Sequence, residues 1–169
     1  MVGDRTDSGS VDPMAADGTT LIAANRRAKR NYDLTETLEA GIVLAGSEVK
    51  SMREAQVQIA DGFVRFDDDE AWLLGVHVAP YLHAQEHTGH DPDRRRKLLL
   101  HRREIDRLKM LVDLERVSIV PLRLYFREGR VKVELGVGKG RKLHDKREVV
   151  AKRDAEREVA RELARRDRS

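Results

Sequence analysis

The sequence predicts a mainly β fold: a small, closed or nearly closed antiparallel barrel with one main helix and one short helix, followed by a basic C-terminal tail that is disordered or helical. Three observations carry this reading. Apolar residues alternate with polar ones in about six short segments, a period of two that turns one strand face toward a core. A single long stretch, 94–112, has the spacing of a substantial helix, and the last thirty or so residues are charged with too few apolar side chains for a core of their own. At 169 residues, 40% hydrophobic and 37% charged, the chain has material for one core and two polar ends. The expected divisions are a disordered leader at 1–20, the barrel at 21–137 and the tail at 138–169.

The leader is rich in Asp, Gly and Ser and has neither the basic start nor the apolar run of a secretory signal. Order is expected from Leu21. Tyr32, Leu34, Leu38, Ala40, Ile42 and Leu44 fall on even positions, with Glu36 the polar member, so this segment reads as a long half-buried strand that Gly46 ends. Ser47 is the expected N-cap of a short helix, 48–53, that turns Val49 and Met52 inward. Strands follow at Gln56–Ile59, Phe63–Phe66 and Ala71–Val78, the last with Trp72, Leu74, Val76 and Val78 on one face. Asp61-Gly62 and the acidic run Asp67–Glu70 separate them as solvated turns.

Pro80–Asp93 is a long polar loop. Arg94–Val112 reads as the main helix, with Leu98, Ile105, Leu108 and Val112 as its stripe and Arg94, Arg95, Arg96, Lys97, Arg102 and Arg103 crowding its first half. Cations there oppose the helix macrodipole, so something anionic is expected to offset them. Val120, Leu122, Leu124 and Phe126, a Glu128-Gly129 turn, and Val131, Val133, Leu135 and Val137 make a hairpin. Gly136, Gly138 and Gly140 are then expected to stop the sheet. Six short strands with a helix before the final pair suit a barrel of the oligonucleotide-binding type, with an open α+β sheet as the alternative.

Charge is unevenly spread. From Lys139 to Arg168 there are 12 Lys/Arg against 7 Asp/Glu, a tail of +5 on a remainder of −2. Ala151, Ala155, Val159 and Leu163 form a thin stripe at helical spacing, bordered by charge pairs such as Glu148 with Lys152. Two alanines bury little area, so the free tail is expected to fray and to become helical on a partner that supplies phosphates. Three basic clusters point to nucleic acid: Arg26, Arg27, Lys29 and Arg30; Arg94–Lys97 with Arg102 and Arg103; and Lys139, Arg141, Lys142, Lys146 and Arg147.

The chain has no cysteine, which excludes disulfides, thiolate nucleophiles and Cys-based zinc sites and suits a cytoplasmic protein. No segment approaches the roughly 18 apolar residues of a membrane span. His83, His87 and His90 with Asp91 have ligand-like spacing, but i, i+4 geometry converges only on a helix and this segment lies between prolines. Gly136, Gly138 and Gly140 lack the spacing of a phosphate loop or dinucleotide fingerprint. No nucleophile, base and orienter set is present, so no catalytic residue, metal or cofactor is expected.

Asn25-Arg-Arg-Ala28, Tyr32, Leu38-Glu-Ala-Gly41, Gly46-Ser-Glu-Val-Lys-Ser51, Asp91-Pro92, Arg96-Lys-Leu-Leu-Leu100, Glu104-Ile105 and Gly136-Val-Gly-Lys-Gly140 leading to His144-Asp-Lys-Arg147 together carry a resemblance. From about Ile22 to Arg147 the chain resembles the small protein B, or SsrA-binding, family of bacterial trans-translation. The resemblance implies a non-catalytic adaptor that binds the tRNA-like domain of transfer-messenger RNA and brings it, with elongation factor Tu through that RNA, to stalled ribosomes. It implies RNA contacts or organising roles at Asn25, Glu39 and Leu99, with Lys97 and the cations Arg26, Arg27, Lys29 and Arg30 beside them. Glu39 would accept hydrogen bonds from base or sugar, or hold an arginine in place. Gly138, Lys139, Arg141, Lys142, His144, Asp145, Lys146 and Arg147 match the segment that enters the vacant decoding region and mRNA channel of the small subunit.

Arg30 stands where the family often has histidine, Ser47 where it often has tryptophan or threonine, and Glu54-Ala-Gln56 replaces a glycine and lysine pattern. A monomer is expected. The rival readings are a general translation or ribosomal protein that binds rRNA, and a metal-dependent nucleic-acid enzyme using the 83–91 loop.

Overall fold

A computed structural model describes residues 18–81 and 89–168. The leader up to residue 17, with His83 and His87, lies outside the described residues. Nine strands and four helices are present among them: β1 (Thr19–Ala24), α1 (Ala28–Asn31), β2 (Tyr32–Ile42), α2 (Gly46–Arg53), β3 (Val57–Gln58), β4 (Phe63–Asp67), β5 (Glu70–Leu74), β6 (His77–Val78), β7 (Arg96–Leu99), α3 (Arg102–Glu115), β8 (Ser118–Arg127), β9 (Arg130–Gly140) and α4 (Leu143–Arg168). Seven strands form one antiparallel sheet in the order β1-β8-β9-β2-β7-β5-β4, with β3 and β6 paired beside it. The sheet curls until β4 lies against β8. This is the expected antiparallel barrel rather than the open sheet.

The alternation holds in β2 and β9, but in β8 a bulge between Pro121 and Arg123 shifts the phase, so that Ile119 joins Leu124 in the core cluster and Leu122 is only half-buried. Ala40 and Ile42 turn into the core with Leu124, Val133, Leu135 and Val137. Glu128 and Gly129 take φ of 52° and 77°, the left-handed pair that matches the twist of a two-residue hairpin, and Arg127 pairs with Arg130 across it. β1 starts at Thr19, two residues before the expected point. In β5 the expected face is reversed: Ala71 and Leu73 are fully buried while Trp72 and Leu74 face outward. Gly75 (φ 73°) shifts the phase, so that Val76 and Val78 turn inward after it.

The helix expected at 94–112 begins at Arg102. Arg96–Leu99 is instead β7, pairing with β2 and β5. The run Leu98-Leu-Leu100 has no helical period, and the helix start is set by Glu104, whose carboxylate accepts from the His101 backbone N–H at 3.0 Å. Only Ile105 and Leu108 of the expected stripe are buried from α3, and Leu98 reaches the core from the strand. α2 is capped likewise: Ala45, not Ser47, is its N-cap, its N–H donating to Glu48 Oε1 at 2.8 Å. Met52 is buried as expected, but Glu48 and Ser51, rather than Val49, complete the inner face.

Glu48 explains the polar interior. Its carboxylate, wholly buried, accepts from Arg96 Nε at 2.5 Å and from Arg94 Nε at 3.1 Å, with a further short contact to Arg94 Nη2. Arg96 is also fully buried, and donates to the Val76 and Pro92 carbonyls at 2.8 and 3.0 Å. Every member is therefore paired, as a buried charge requires. Burial alone would raise the Glu48 carboxyl, but the hydrogen bonds from Arg94, the Ala45 amide and Arg96 outweigh it and hold the group below its ordinary value.

Gly136, Gly138 and Gly140 do not end the sheet. β9 runs through Gly140, which pairs with Tyr32. A Cβ on Gly138 would lie 2.1 Å from the Asp33 carbonyl oxygen, so glycine permits a close backbone approach rather than a flexible exit. The tail, expected to fray alone, is the continuous helix α4; Val159 and Leu163 are 61% and 55% exposed, so its apolar stripe is uncovered.

Candidate nucleic-acid interface

The outward face of the barrel is built by alternation: where even residues of β2 enter the core, odd ones face solvent. Glu39 sits there, opposite Glu134 on β9, which sits opposite Arg123 on β8. Tyr125 lies under the guanidinium groups of Arg123 and Arg127, 5.4 and 5.5 Å from its ring centroid. Glu39 accepts from the Tyr125 hydroxyl in a short contact and from Arg127 Nη1 at 2.6 Å. Burial first, and then the Glu39 carboxylate, push the Tyr125 phenol well above its ordinary value, so it stays a donor. Glu39 thus pairs with an arginine, Arg127, on this face. Tyr125 and Arg127 were not singled out from sequence, although their outward positions in the hairpin were readable from its alternation.

Leu99 on β7 faces the same way, 55% exposed, and packs over Gly41, where a Cβ would lie 3.2 Å from that of Leu99. Lys97, half-buried, pairs with Glu70 at 3.1 Å. Glu39, Lys97 and Leu99 thus line one groove of about 680 Å³, with Lys132, His101 and Arg102 on its walls. Among the described residues Lys132 makes no ion pair. The cation cluster of 94–97 does not act as one patch, because Arg96 is buried, Arg94 is turned to Glu48, and only Arg95 and Lys97 remain at the surface.

The anion expected to offset those cations comes from the turn between β4 and β5. Asp67 pairs with Arg95 at 3.1 Å, Glu70 with Lys97, and Asp69 with Arg102 at 3.2 Å and Lys109 at 2.5 Å. Hydrogen bonds from Lys109 and Arg102 lower the Asp69 carboxyl. The acidic run is thus not merely a solvated turn. It folds back onto β7 and the start of α3.

Asn25 lies just after β1, where the chain turns into α1 and from there directly into the start of β2. The Asn25 Nδ2 donates to the Pro121 carbonyl at 3.0 Å and its N–H to the Leu122 carbonyl at 2.8 Å; its Oδ1 is buried with no hydrogen-bond partner among the described residues. Asn25 therefore organises the turn into α1. That turn exposes Arg26, Arg27, Lys29 and Arg30, none of which makes an ion pair with a described residue.

Lys139 is exposed at the end of β9, opposite Asp33. The Arg141 N–H donates to the Asn31 carbonyl at 2.8 Å, and its guanidinium stands 3.8 Å from Asp33. Lys142 and Arg147 are exposed, and His144, Asp145 and Lys146 fall in the first turn of α4. His90 has both ring nitrogens engaged: Nδ1 with Ser47 Oγ at 2.8 Å and Nε2 with the Val78 carbonyl at 2.9 Å. No helix among the described residues is long and apolar enough to cross a membrane.

Known proteins resemble this chain over nearly its whole length. The family model described as SmpB protein matches residues 22–165. SsrA-binding proteins of Oleidesulfovibrio alaskensis, Chloroflexus aggregans and Mycolicibacterium smegmatis are 52%, 51% and 51% identical, over 88%, 88% and 90% of this chain and 95%, 94% and 94% of theirs. A solved structure described as "tmRNA-SmpB: a journey to the center of the bacterial ribosome" superposes with a TM-score of 0.61 at 43% identity, covering 76% of this chain and 93% of that one. With the family model matched over residues 22–165 and relatives about half identical over most of both chains, the chain belongs to the SmpB family.

Proposed function

We propose that this protein is a non-catalytic RNA-binding adaptor that binds the tRNA-like domain of transfer-messenger RNA and delivers it to stalled ribosomes. The observation that carries the reading is the convergence of Glu39, Lys97 and Leu99 on one open groove, with Arg127 and Tyr125 fixing the Glu39 carboxylate. Its mixed charges and exposed leucine suit the ribose and base edges of a folded RNA. The exposed cations Arg26, Arg27, Lys29 and Arg30, which make no ion pair with a described residue, suit its phosphates. Elongation factor Tu joins through the RNA, and the adaptor acts as a monomer.

The tail supplies the second half of the function. α4, with Lys139, Arg141, Lys142 and Arg147 at its root, enters the vacant decoding site and mRNA channel, where cations meet rRNA phosphates and His144 can stack on a base. Its exposed apolar stripe and net positive charge support a role on a partner rather than within the barrel.

Gel-shift titration of the full chain with transfer-messenger RNA and with an unrelated tRNA, at two salt concentrations, tests the reading. The expected result is tighter binding to transfer-messenger RNA at both. Equal affinity would overturn it in favour of a general rRNA-binding protein.

A further inference from the structure

Beyond the groove the outward face continues across β7 and β5 onto β4. Lys97 on β7 pairs in register with Trp72 on β5, and Trp72 with Arg65 on β4. The Arg95 guanidinium lies over the Trp72 ring, 3.9 Å from its centroid. Arg65 lies 5.7 Å over the ring of Phe63, which is 38% exposed on the same face. Two arginine and aromatic pairs thus stand side by side, one strand spacing apart, and reach the groove through Lys97.

Neither pair is needed for the core. Trp72 faces outward while its neighbours Ala71 and Leu73 fill the interior. Arg95 is tied only to Asp67, in a contact where both side chains are more than half exposed, so a phosphate can displace that carboxylate at little cost. Arg65 makes no ion pair with any described residue. A guanidinium this close over an aromatic ring, with half its side chain exposed, turns its outer side to solvent, and this is a surface on which an unpaired nucleobase stacks.

We infer that Arg95 and Trp72 form a nucleobase-stacking site: an unpaired base of the bound RNA lies on the outer face of the Arg95 guanidinium, with Trp72 supporting it from beneath and Arg65 and Lys97 meeting the flanking phosphates. This deepens the RNA-binding reading above and rests on it. The ligand is single-stranded RNA at the margin of a folded domain, because stacking needs a base free on at least one face. Arginine is required for its plane as well as its charge.

Trp72 is the chain's one tryptophan, so its emission reports on this site alone. The experiment titrates the full chain, and its Arg95→Lys and Arg95→Ala variants, with the tRNA-like domain of transfer-messenger RNA, following both Trp72 emission and affinity at several salt concentrations. The expected result is a change in Trp72 emission as the wild type saturates. Arg95→Lys, which keeps the charge and loses the plane, should bind about ten-fold more weakly with an unchanged salt slope, and Arg95→Ala at least as weakly.

If Arg95→Lys binds like the wild type while Arg95→Ala weakens with a shallower salt slope, the residue is a point-charge contact and the stacking site is overturned. Unchanged emission with unchanged affinity in both variants also overturns it, and leaves the adaptor reading standing. If the wild type does not bind this RNA, the adaptor reading falls and takes the stacking site with it.

Discussion

Replacing Glu48 with Gln should cost this protein a large part of its stability. The carboxylate is buried, and two guanidinium groups converge on it: Arg96, fully buried, and Arg94, about a third exposed. Glu48→Gln keeps the volume and one acceptor but leaves Arg96 charged without a counter-ion. Arg94 can turn to water; Arg96 cannot. Removing one partner of a buried pair costs about 3–5 kcal/mol, and the surviving amide acceptor places this variant near 3. For a chain of this length that is a fall in Tm of roughly 6–12 °C.

Thermal unfolding followed by far-UV circular dichroism measures it, and a fall under about 2 °C would refute the reasoning. The pH dependence gives an independent check. The folded Glu48 carboxyl is held below its ordinary value of 4.5, so its stabilisation is complete above that pH and is lost as pH falls through the lower folded value. Wild-type Tm should therefore drop in acid below about pH 4.5, and Glu48→Gln should show a smaller drop over the same range. Adding Arg96→Met to Glu48→Gln should restore much of the stability, because the unpaired charge goes with it.

Gly138→Ala should prevent soluble expression or lower Tm by more than 10 °C, because its Cβ would sit 2.1 Å from the Asp33 carbonyl oxygen; a comparison of melting curves decides it. Glu39→Gln should leave Tm within about 2 °C, since its pair with Arg127 is a third exposed on each side, and should lower transfer-messenger RNA affinity about ten-fold in a gel shift. Truncation after Lys142, which spares β9, should leave RNA affinity nearly intact and abolish peptide tagging on stalled ribosomes. Changing Arg26, Arg27, Lys29 and Arg30 to Ala should weaken binding and flatten the salt dependence by about one unit for each phosphate that is no longer neutralised.

What was legible in the sequence was local. The hairpin of β8 and β9 declared itself by strict alternation and Glu128-Gly129, and β2 by its even-numbered apolar residues. What was missed depended on partners far along the chain. Nothing near Arg96 announces that its carboxylate is Glu48, so a strand with a buried arginine reads as the charged start of a helix. Gly138 reads as a chain breaker because the strand that needs its bare backbone, at Asp33, lies more than a hundred residues earlier. Trp72 turns inward only if one period is extended through Gly75, where the phase changes. At the interface, Glu39 and Leu99 were found through the family motif, whereas Tyr125 and Arg127 required the fold that sets them against Glu39.

The hydrogen bond from the Arg141 N–H to the Asn31 carbonyl joins the root of α4 to the end of α1, and the two helices touch there. Thermodynamic linkage makes such a junction symmetric. If a surface that captures α4 shifts α1, it changes the affinity of the α1 cations for RNA by some factor, and bound RNA then changes the affinity of α4 for that surface by the same factor. A protein joined in this way can report at one end what is held at the other, through the junction of two helices.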